Sequence, residues 1–577
     1  MNRPWIRPAL VLVVFAAVFL ALVVGCYRLE SATMDEPEHL VAGYAALKLG
    51  DYRMGAEHPP FLRMWAALPL VLASSNIKFN TNSPRWLAGD EYPFAHQFLY
   101  QDNDADRLLF RARFMIALLG VLLGVLLFSW ARELSGFWPA TIVLGLYCVE
   151  PNLVAHSGLV TTDLGATCFI FGAVYFAWRT ARELSPGNLI GLAVFFALAQ
   201  VSKYSALLLG PVLLALLLVR ALSAAPWPWR SGRPKPLTGW RPKVVLVVAI
   251  VGGLLALSYG AIWAGYDFRY APSEAGVFAI TAGAEHRPHL MRFVQWIQQH
   301  HLLPNASIHG FASVLARQHP AYLCGKVGPQ GWWYYFPLAF LIKTPLALLV
   351  MSLGGLTWCI FRWGKVHPDA LFMVGPPVFY FGTAVVSHVN IGLRHILVIY
   401  PFILLWAGWT ITALLAPTAT RSWFPWRRFA LIVLCAGQLA EFVAIYPHCL
   451  AFFNIAVGGP RHGADYLVDS NLDWGQDLKL LKQWMMQNHV RHINLSYFGH
   501  ADPAYYGIED TPLPGAPFFD QERIAAPRLP GYVAVSATNL RCSYTGGSSW
   551  YAPLQARTPV VVLGYSIYVY WVEKPWW

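Results

Sequence analysis

The chain has 577 residues, of which 56% are hydrophobic and 12% are charged, and its formal net charge is +12. A soluble domain of this length needs more polar surface, so the composition excludes a purely soluble protein and predicts a polytopic membrane protein. The excess of Lys and Arg then requires no nucleic acid, and we predict no nucleic-acid partner. What matters is where the positive charges lie relative to the membrane.

Apolar runs predict about eleven transmembrane helices. They cover residues 8–27, 108–130, 138–156, 164–180, 188–202, 204–221, 244–264, 336–360, 368–386, 396–416 and 429–447. Arg and Lys concentrate in the loops that share a side with the N-terminus, which places the N-terminus in the cytoplasm and the C-terminus outside. The apolar segment 61–75 is short and follows Pro59-Pro60, so we interpret it as an amphipathic or re-entrant helix at the outer surface.

Three larger segments lie on the outer side in this topology. They are a first loop of residues 28–107, a second loop of residues 265–335, and a C-terminal tail of residues 448–577. Within the tail, residues 472–487 suit a helix, whereas 492–497, 531–536 and 559–563 suit strands. We therefore predict a transmembrane module over residues 1–447 and a small extracytoplasmic α/β domain over 448–577.

Two acidic side chains follow the first predicted span directly. Asp35 and Glu36 lie in the stretch Met34-Asp-Glu-Pro-Glu-His39, and a second polar stretch, Glu57-His58-Pro59-Pro60, comes soon after. Charges at the mouth of a span are costly near lipid and usually have a partner or a function. We therefore favour a functional role over the alternative, a solvated acidic loop.

Charged and polar residues from other loops recur at the same predicted edge of the membrane. They are Asp163, Lys203, Arg269, Lys343, Arg394 and His395. Both signs of charge suit a reaction in which a hydroxyl loses a proton to a carboxylate while basic side chains hold a departing anionic group. The alternatives are snorkelling from a helix end for Lys203 and Lys343, and helix capping for Asp163.

These motifs resemble those of a known group of membrane enzymes. Asp35-Glu36 after the first span resembles the acidic motif of GT-C glycosyltransferases, and Asp163 resembles the second acid of that fold. Glu57-His58-Pro59-Pro60 is similar to a motif of the protein O-mannosyltransferase and aminoarabinose-transferase branch, with His58 where Lys is common. Further segments similar to bacterial family 39-like members are Ser202-Lys203-Tyr204, the stretch from Asn390 to His395, and the stretch from Asp469 to Asp477.

The resemblance implies an inverting glycosyltransferase of the bacterial inner membrane that serves cell-envelope glycosylation. Its donor would be a polyprenyl-phosphate hexose or pentose, and its acceptor a hydroxyl of a protein, lipid or glycan, with membrane lipids around the enzyme. In the implied catalytic roles, Asp35 is the general base, Glu36 or Glu57 orients it or the acceptor, and Asp163 supports the acceptor or sugar. The implied ligands of the donor phosphate are His58, Arg269, Arg394, Lys203, Lys343 and Tyr335 or its neighbour Tyr334, and those of the acceptor or sugar are Glu57 and His395.

Several questions stay open at this level. No cofactor is predicted with certainty, and a divalent cation remains an option without secure ligand spacing. The stretch Asp469–Asp477 fits structure or docking better than catalysis. His58 supports phosphate binding only when protonated, by our hypothesis. The alternative functions are a transporter or flippase of a lipid-linked sugar, or a non-catalytic assembly subunit.

Cys324, Cys449 and Cys542 lie on the predicted outer side, where a disulfide could form, but spacing assigns no pairing.

Overall fold

The computed structural model describes residues 6–72, 76–230, 235–274, 276–278, 288–317, 319–361, 363–416, 425–541 and 550–576. The N-terminal helix α1 (Ile6–Tyr27) leads into the first loop. The helices of that loop are α2 (Glu36–Leu49), α3 (Phe61–Leu72), α4 (Pro84–Ala88) and α5 (Glu91–His96). Helix α3 occupies the segment that was predicted to be a short amphipathic or re-entrant helix, and it packs against α2.

The membrane bundle follows in two runs of helices. The first run contains α6 (Ala105–Ser135), α7 (Phe137–Cys148), α8 (Pro151–Ser157), α9 (Asp163–Arg182), α10 (Pro186–Gln200), α11 (Leu209–Leu222) and α12 (Trp240–Gly265). The second run contains α13 (Pro288–Gln299), α14 (Asn305–Ala316), the hairpin β1 (Ala321–Leu323) and β2 (Lys326–Gly328), α15 (Tyr335–Lys343), α16 (Leu346–Phe361), α17 (Trp363–Val385), α18 (Tyr400–Leu415) and α19 (Trp426–Ile445). A 3-10 segment, Leu393–Ile399, continues directly into α18.

The prediction of a polytopic helical membrane protein is confirmed. Among the described residues, seven helices are long and apolar enough to cross a membrane, or nine if the bent pairs α7–α8 and α15–α16 each form one span. Every predicted span has a helix or bent pair at its place. The count of eleven is not confirmed, because α10 and the apolar part of α17 are shorter than a full crossing.

The tail contains the predicted small α/β region. Its elements are α20 (Gly463–Tyr466), α21 (Leu478–Gln487), β3 (His492–Ser496), β4 (Glu509–Pro512), β5 (Gly531–Ser536), α22 (Ala537–Leu540), α23 (Ala552–Gln555), β6 (Val561–Leu563) and β7 (Ile567–Val572). The sheet has the order β4-β3-β5-β7-β6, with β3 parallel to β4 and β5, and β7 antiparallel to β5 and β6. The predicted helix 472–487 begins only at Leu478, because the residues before it bind the first loop instead.

One buried core joins the tail to the bundle. It runs from aromatic residues of the spans, such as Trp130 and Phe402, to Trp474 and Ile493 in the tail. The tail therefore packs on the bundle and the first loop, and the space left between these three parts is the candidate site.

Candidate active site

A cavity of about 740 Å³ lies where the bundle, the first loop and the tail meet. Asp35 comes from the first loop, Asp163 and Lys203 from the first run of helices, Arg394 from the second run, and Trp474 from the tail. Five side chains that are far apart in sequence therefore line one space.

Four of these side chains form a chain of alternating charge. Arg394 Nη1 donates to Asp35 Oδ2 at 2.8 Å and lies 3.7 Å from Asp163 Oδ2. Lys203 Nζ donates to Asp163 Oδ1 at 2.5 Å. Asp163 is almost fully buried, whereas the Asp35 side chain is 30% exposed. The two cations are thus held by two carboxylates at the cavity wall, where an entering anion would compete with those carboxylates for them.

The local structure frees both carboxylates for this arrangement. Asp35 occupies the N-cap position of α2, and Asp163 is the first residue of α9. An N-cap Asp usually accepts a hydrogen bond from its own helix. Here the Asp35 side chain makes no such bond, and the Asp163 carboxylate faces Lys203 and Arg394. The capping role that we considered for Asp163 is therefore not what the structure shows.

Asp35 carries its negative charge at neutral pH. Burial by itself would raise the pKa of this carboxyl, but the guanidinium of Arg394 and the nearby His39 bring the pKa below its ordinary value. Arg394 occupies only one of the two carboxylate oxygens. The group is therefore an ionised acceptor of hydrogen bonds at the cavity wall.

His58 also lines the cavity but is not a cation. Burial lowers the pKa of its imidazole well below the ordinary value, and the neighbouring His39, Lys203 and Arg63 lower it further. Its Nδ1 atom is buried without a hydrogen-bond partner. A neutral ring with a free nitrogen can accept from or donate to a hydroxyl, but it adds no charge against phosphate.

Glu57 and His395 face the same space. Glu57 is paired with Arg317, and both side chains are about one-third exposed at 37%. The Nε2 atom of His395 is buried and has no hydrogen-bond partner. Both residues thus line the space that a bound molecule would occupy.

A second cavity of about 200 Å³ adjoins the first. The two share Asp163, Lys203, Arg394 and His395 in their walls. The second cavity extends between the spans, where its wall combines Ile170, Leu208, Phe336 and Val398 with hydroxyl side chains such as that of Thr383. The chain of charges therefore lies where the two cavities meet.

Four predicted site residues lie outside the cavity. Glu36 is fully buried and bonded to Arg113, with Nε and Nη2 of the guanidinium at 2.8 and 2.5 Å. Arg269 is exposed and pairs with Asp267 at 3.3 Å. Lys343 is buried and donates to the carbonyl oxygens of Leu450 and Asn471.

The fourth is Tyr335, which is buried and accepts a hydrogen bond from Asn471 Nδ2 at 2.9 Å. Its neighbour Tyr334, the alternative at this position, is 41% exposed and is not part of the cavity wall. The side chains of Glu36, Arg269, Lys343 and Tyr335 bind other residues of the protein and do not line the cavity.

The tail adds residues to the cavity wall that the predicted site did not include. The guanidinium carbon of Arg394 lies 4.2 Å from the centre of a Trp474 ring. The carbonyl of Trp474 accepts from the amide of Met34 at 2.9 Å, and that of Gln476 accepts from Ser31 at 2.8 Å. The stretch Asp469–Asp477 therefore holds both Arg394 and the segment that ends at Asp35, in keeping with a docking role.

A second tail contact lines the far wall. His500 Nδ1 lies 2.8 Å from Glu38 Oε1, and the carboxylate raises the pKa of this imidazole although burial opposes the shift. Trp474 and His500 each lie close to an acid in the tail sequence, and this was the available sequence signal. Nothing in the sequence placed them over the cavity.

The described donors do not fit a resident divalent cation. In the part of the chain that the structure describes, no three His, Cys, Asp or Glu side chains are grouped so that they could hold a metal ion. Asp35 and Asp163 are already paired with Arg394 and Lys203. We derive no chemical step through a metal.

Part of the chain matches a known family. Residues 106–232 match the family model described as dolichyl-phosphate-mannose-protein mannosyltransferase. The match confirms, for this segment, the predicted resemblance to the protein O-mannosyltransferase branch of membrane glycosyltransferases. The segment includes Asp163 and Lys203 but not Asp35 or Arg394. A comparison with curated proteins gave no significant match.

Solved structures of similar architecture include ArnT from Cupriavidus metallidurans. Its apo structure is 13% identical over 96% of this chain and 97% of that chain, with a TM-score of 0.45. Its structure with bound undecaprenyl phosphate is 12% identical over 99% and 98%, with a TM-score of 0.45. The Archaeoglobus fulgidus oligosaccharyltransferase tethered with an acceptor peptide is 12% identical over 94% of this chain and 70% of that chain, with a TM-score of 0.49.

Proposed function

We propose that the protein is a GT-C glycosyltransferase of the bacterial inner membrane. It transfers a sugar from a polyprenyl-phosphate donor to an acceptor hydroxyl on the extracytoplasmic side, with inversion at the sugar carbon. The observation that carries this proposal is the chain of Asp35, Arg394, Asp163 and Lys203, which lies where a large cavity meets a smaller one between the spans. The family match over residues 106–232 supports the same reaction class.

The donor phosphate binds Arg394 and Lys203. Both side chains line both cavities, so a phosphate between them leaves the sugar in the large cavity and the first isoprenoid units in the second one, along Phe336 and Val398. Arg394 offers two nitrogens in a fork that fits phosphate oxygens. The phosphodiester monoanion of the donor displaces Asp35 from Arg394 in part, and this release makes Asp35 a stronger base once the donor is in place.

Asp35 takes the proton from the acceptor hydroxyl. The hydroxyl attacks the sugar carbon on the face opposite the phosphate, which is the geometry of an inverting displacement. The C–O bond to phosphate breaks with its electron pair, and Arg394 and Lys203 stabilise the charge that develops on the leaving oxygens. Asp163 keeps both cations in position. Glu57, His58 and His395 bind hydroxyl groups of the sugar or the acceptor.

A transfer assay tests this proposal. Purified full-length protein is given polyprenyl-phosphate mannose, other hexose donors and pentose donors with mixed protein, lipid and glycan acceptors, and the release of polyprenyl phosphate is measured. We expect release with at least one donor, and none from Arg394→Gln. Movement of a lipid-linked sugar across a vesicle membrane without release would instead establish a transporter, because only transfer breaks the sugar–phosphate bond.

Replacing Trp474 should weaken donor binding. We expect Trp474→Leu to raise KM for the donor about tenfold with a smaller change in kcat, because the Arg394 guanidinium loses an aromatic face worth about 1–2 kcal/mol. The control is Trp484→Leu on α21, whose ring packs on Tyr532 and does not line the cavity. A normal KM in folded Trp474→Leu protein would contradict the positioning role of this ring.

His58 should not control the pH dependence of transfer. Because the pKa of His58 is held well below its usual value, the ring is already neutral across the assay range and gains no proton there. We expect His58→Gln to leave the acid side of the pH profile of kcat/KM unchanged between about pH 6 and 8.

His58→Lys provides the opposite test at the same position. It should lower activity, because it adds a buried cation close to Lys203 and Arg63. An acid limb that disappears in His58→Gln, together with full activity in His58→Lys, would restore the hypothesis of a protonated His58.

A further inference from the structure

Two cysteines that are distant in sequence meet where α1 ends and the tail begins. Cys26 is the second-last residue of α1, and Cys449 opens the 3-10 turn Cys449–Ala451 after α19. Their Sγ atoms lie 3.6 Å apart, and they are only 3% and 0% exposed. Both are free thiols in the structure. The pair therefore bridges the first span and the tail at a buried junction.

The backbone on both sides of this pair is anchored. The carbonyl of Tyr27, next to Cys26, accepts from Arg113 Nη1 at 2.8 Å. The carbonyl of Leu450, next to Cys449, accepts from Lys343 Nζ at 2.9 Å. Buried cations thus fix the chain one residue from each sulfur, so the close approach of the sulfurs is a property of the packed junction.

We propose that Cys26 and Cys449 form a disulfide bond in the mature protein and so tie the first span to the tail. A disulfide has an S–S distance of about 2.05 Å, so the sulfurs need to approach by roughly 1.5 Å. The proposal rests on the outward orientation given in the proposed function, because the bacterial periplasm is oxidising and the cytoplasm is not.

The bond forms by thiol–disulfide exchange with an oxidised dithiol carrier protein of the cell envelope. One cysteine thiolate attacks the carrier disulfide, which gives a mixed disulfide and one free carrier thiol. The second thiolate then displaces the remaining carrier sulfur. The two cysteines lose two protons and two electrons, and the carrier gains both to become a dithiol. Since both sulfurs are buried in the folded protein, the exchange takes place as the tail docks.

The bond would stabilise the packing of the first span against the tail, and both of these parts lead to the walls of the cavity. It joins positions 423 residues apart, and a cross-link over a long loop restricts the unfolded chain strongly. Ser31, shortly after Cys26, donates to the Gln476 carbonyl, and Asn471, further along the tail from Cys449, accepts from the amide of Leu393 next to Arg394. Reduction should therefore lower the midpoint of thermal unfolding and slow transfer.

Differential alkylation of the full-length protein tests the bond. The protein is produced in a bacterium whose cell envelope forms disulfide bonds normally, and it is denatured in the presence of iodoacetamide to label free thiols. It is then reduced, treated with N-ethylmaleimide to label the released thiols, and analysed by mass spectrometry. In the reduced sample, we expect Cys26 and Cys449 to carry the maleimide. In a sample that is not reduced, we expect their two peptides to be joined, with a mass two hydrogens below the sum of the free peptides. The controls Cys168 and Cys359, which are buried in α9 and α16, should carry the iodoacetamide label.

Two results would overturn the proposal. One is an iodoacetamide label on both Cys26 and Cys449 of the wild-type protein. The other is a maleimide label on Cys26 in the Cys449→Ser variant, since Cys26 would then have a different partner. The measurement needs no substrate. A protein without transfer activity can therefore still contain the bond, and an active protein with two free thiols would refute the bond alone.

Discussion

We expect Asp35→Asn to transfer sugar about a thousandfold more slowly than the wild-type protein, within the range typical of a lost general base. The amide has nearly the same shape but cannot take the proton of the acceptor hydroxyl. Donor binding should persist, because Arg394 and Lys203 remain and Arg394 loses the carboxylate that competes with phosphate. The measurement is single-turnover release of polyprenyl phosphate, alongside donor binding at equilibrium.

Asp51→Asn is the control for this variant. Asp51 lies in the same loop, pairs with Arg53 at 2.9 Å and is not part of the cavity wall. We expect its activity to stay within about twofold, as for a substitution away from the chemistry. Normal transfer by Asp35→Asn would assign the base to another carboxylate of the cavity wall, which also contains Glu38, Glu57, Glu91, Asp163 and Asp469.

We expect Glu36→Gln to lose stability rather than chemistry. Glu36 accepts from Thr33 N at 2.8 Å, from Val160 N at 2.9 Å and from two nitrogens of Arg113, and it is fully buried. A neutral amide leaves the Arg113 charge buried without its partner, which costs about 3–5 kcal/mol. The check is the unfolding midpoint and the yield of monodisperse protein, with transfer measured per folded molecule.

Glu133→Gln is the control for this ion pair. Glu133 lies 3.7 Å from Arg179, and both side chains are about one-third exposed, so we expect a loss of less than about 1 kcal/mol. A Glu36→Gln protein that is stable, binds donor and yet transfers no sugar would return Glu36 to the catalytic role that the sequence suggested.

The same pair makes stability depend on pH. Burial alone would raise the pKa of Glu36, but Arg113 and the backbone amides bring it below its ordinary value. A carboxyl with a lowered pKa in the folded state stabilises the protein fully above its unfolded pKa of about 4.3 and loses that contribution as the pH falls. The unfolding midpoint should therefore drop on acidification below about pH 4.3.

Asp35 and Glu36 show where sequence reasoning stops. Adjacent residues at a helix start point in different directions, so one reaches Arg394 at the cavity and the other reaches Arg113 in the interior. The sequence identified both as unusual because their charge lies at the end of a span. Only the packing of α6 against the first loop decides which of them meets the cavity.

The basic residues give the same lesson. Arg269, Lys343 and Arg394 all lie near the predicted membrane edge, yet only Arg394 lines the cavity. The distance of a residue along the chain from the end of a span sets its depth relative to the membrane. The direction of its side chain depends on helix rotation and on nearby carbonyl groups, such as those of Leu450 and Asn471 that hold Lys343.

The sequence by itself determined that this is a polytopic membrane protein with acidic and basic residues at the ends of its spans. The length of each apolar run and the positions of the charges around it are local properties of the sequence. It also indicated the strands of the tail, such as β5. Only the tertiary structure decided which charges meet. Asp35, Asp163, Lys203, Arg394 and Trp474 come from separate segments of the chain and are brought together by the burial of one shared core.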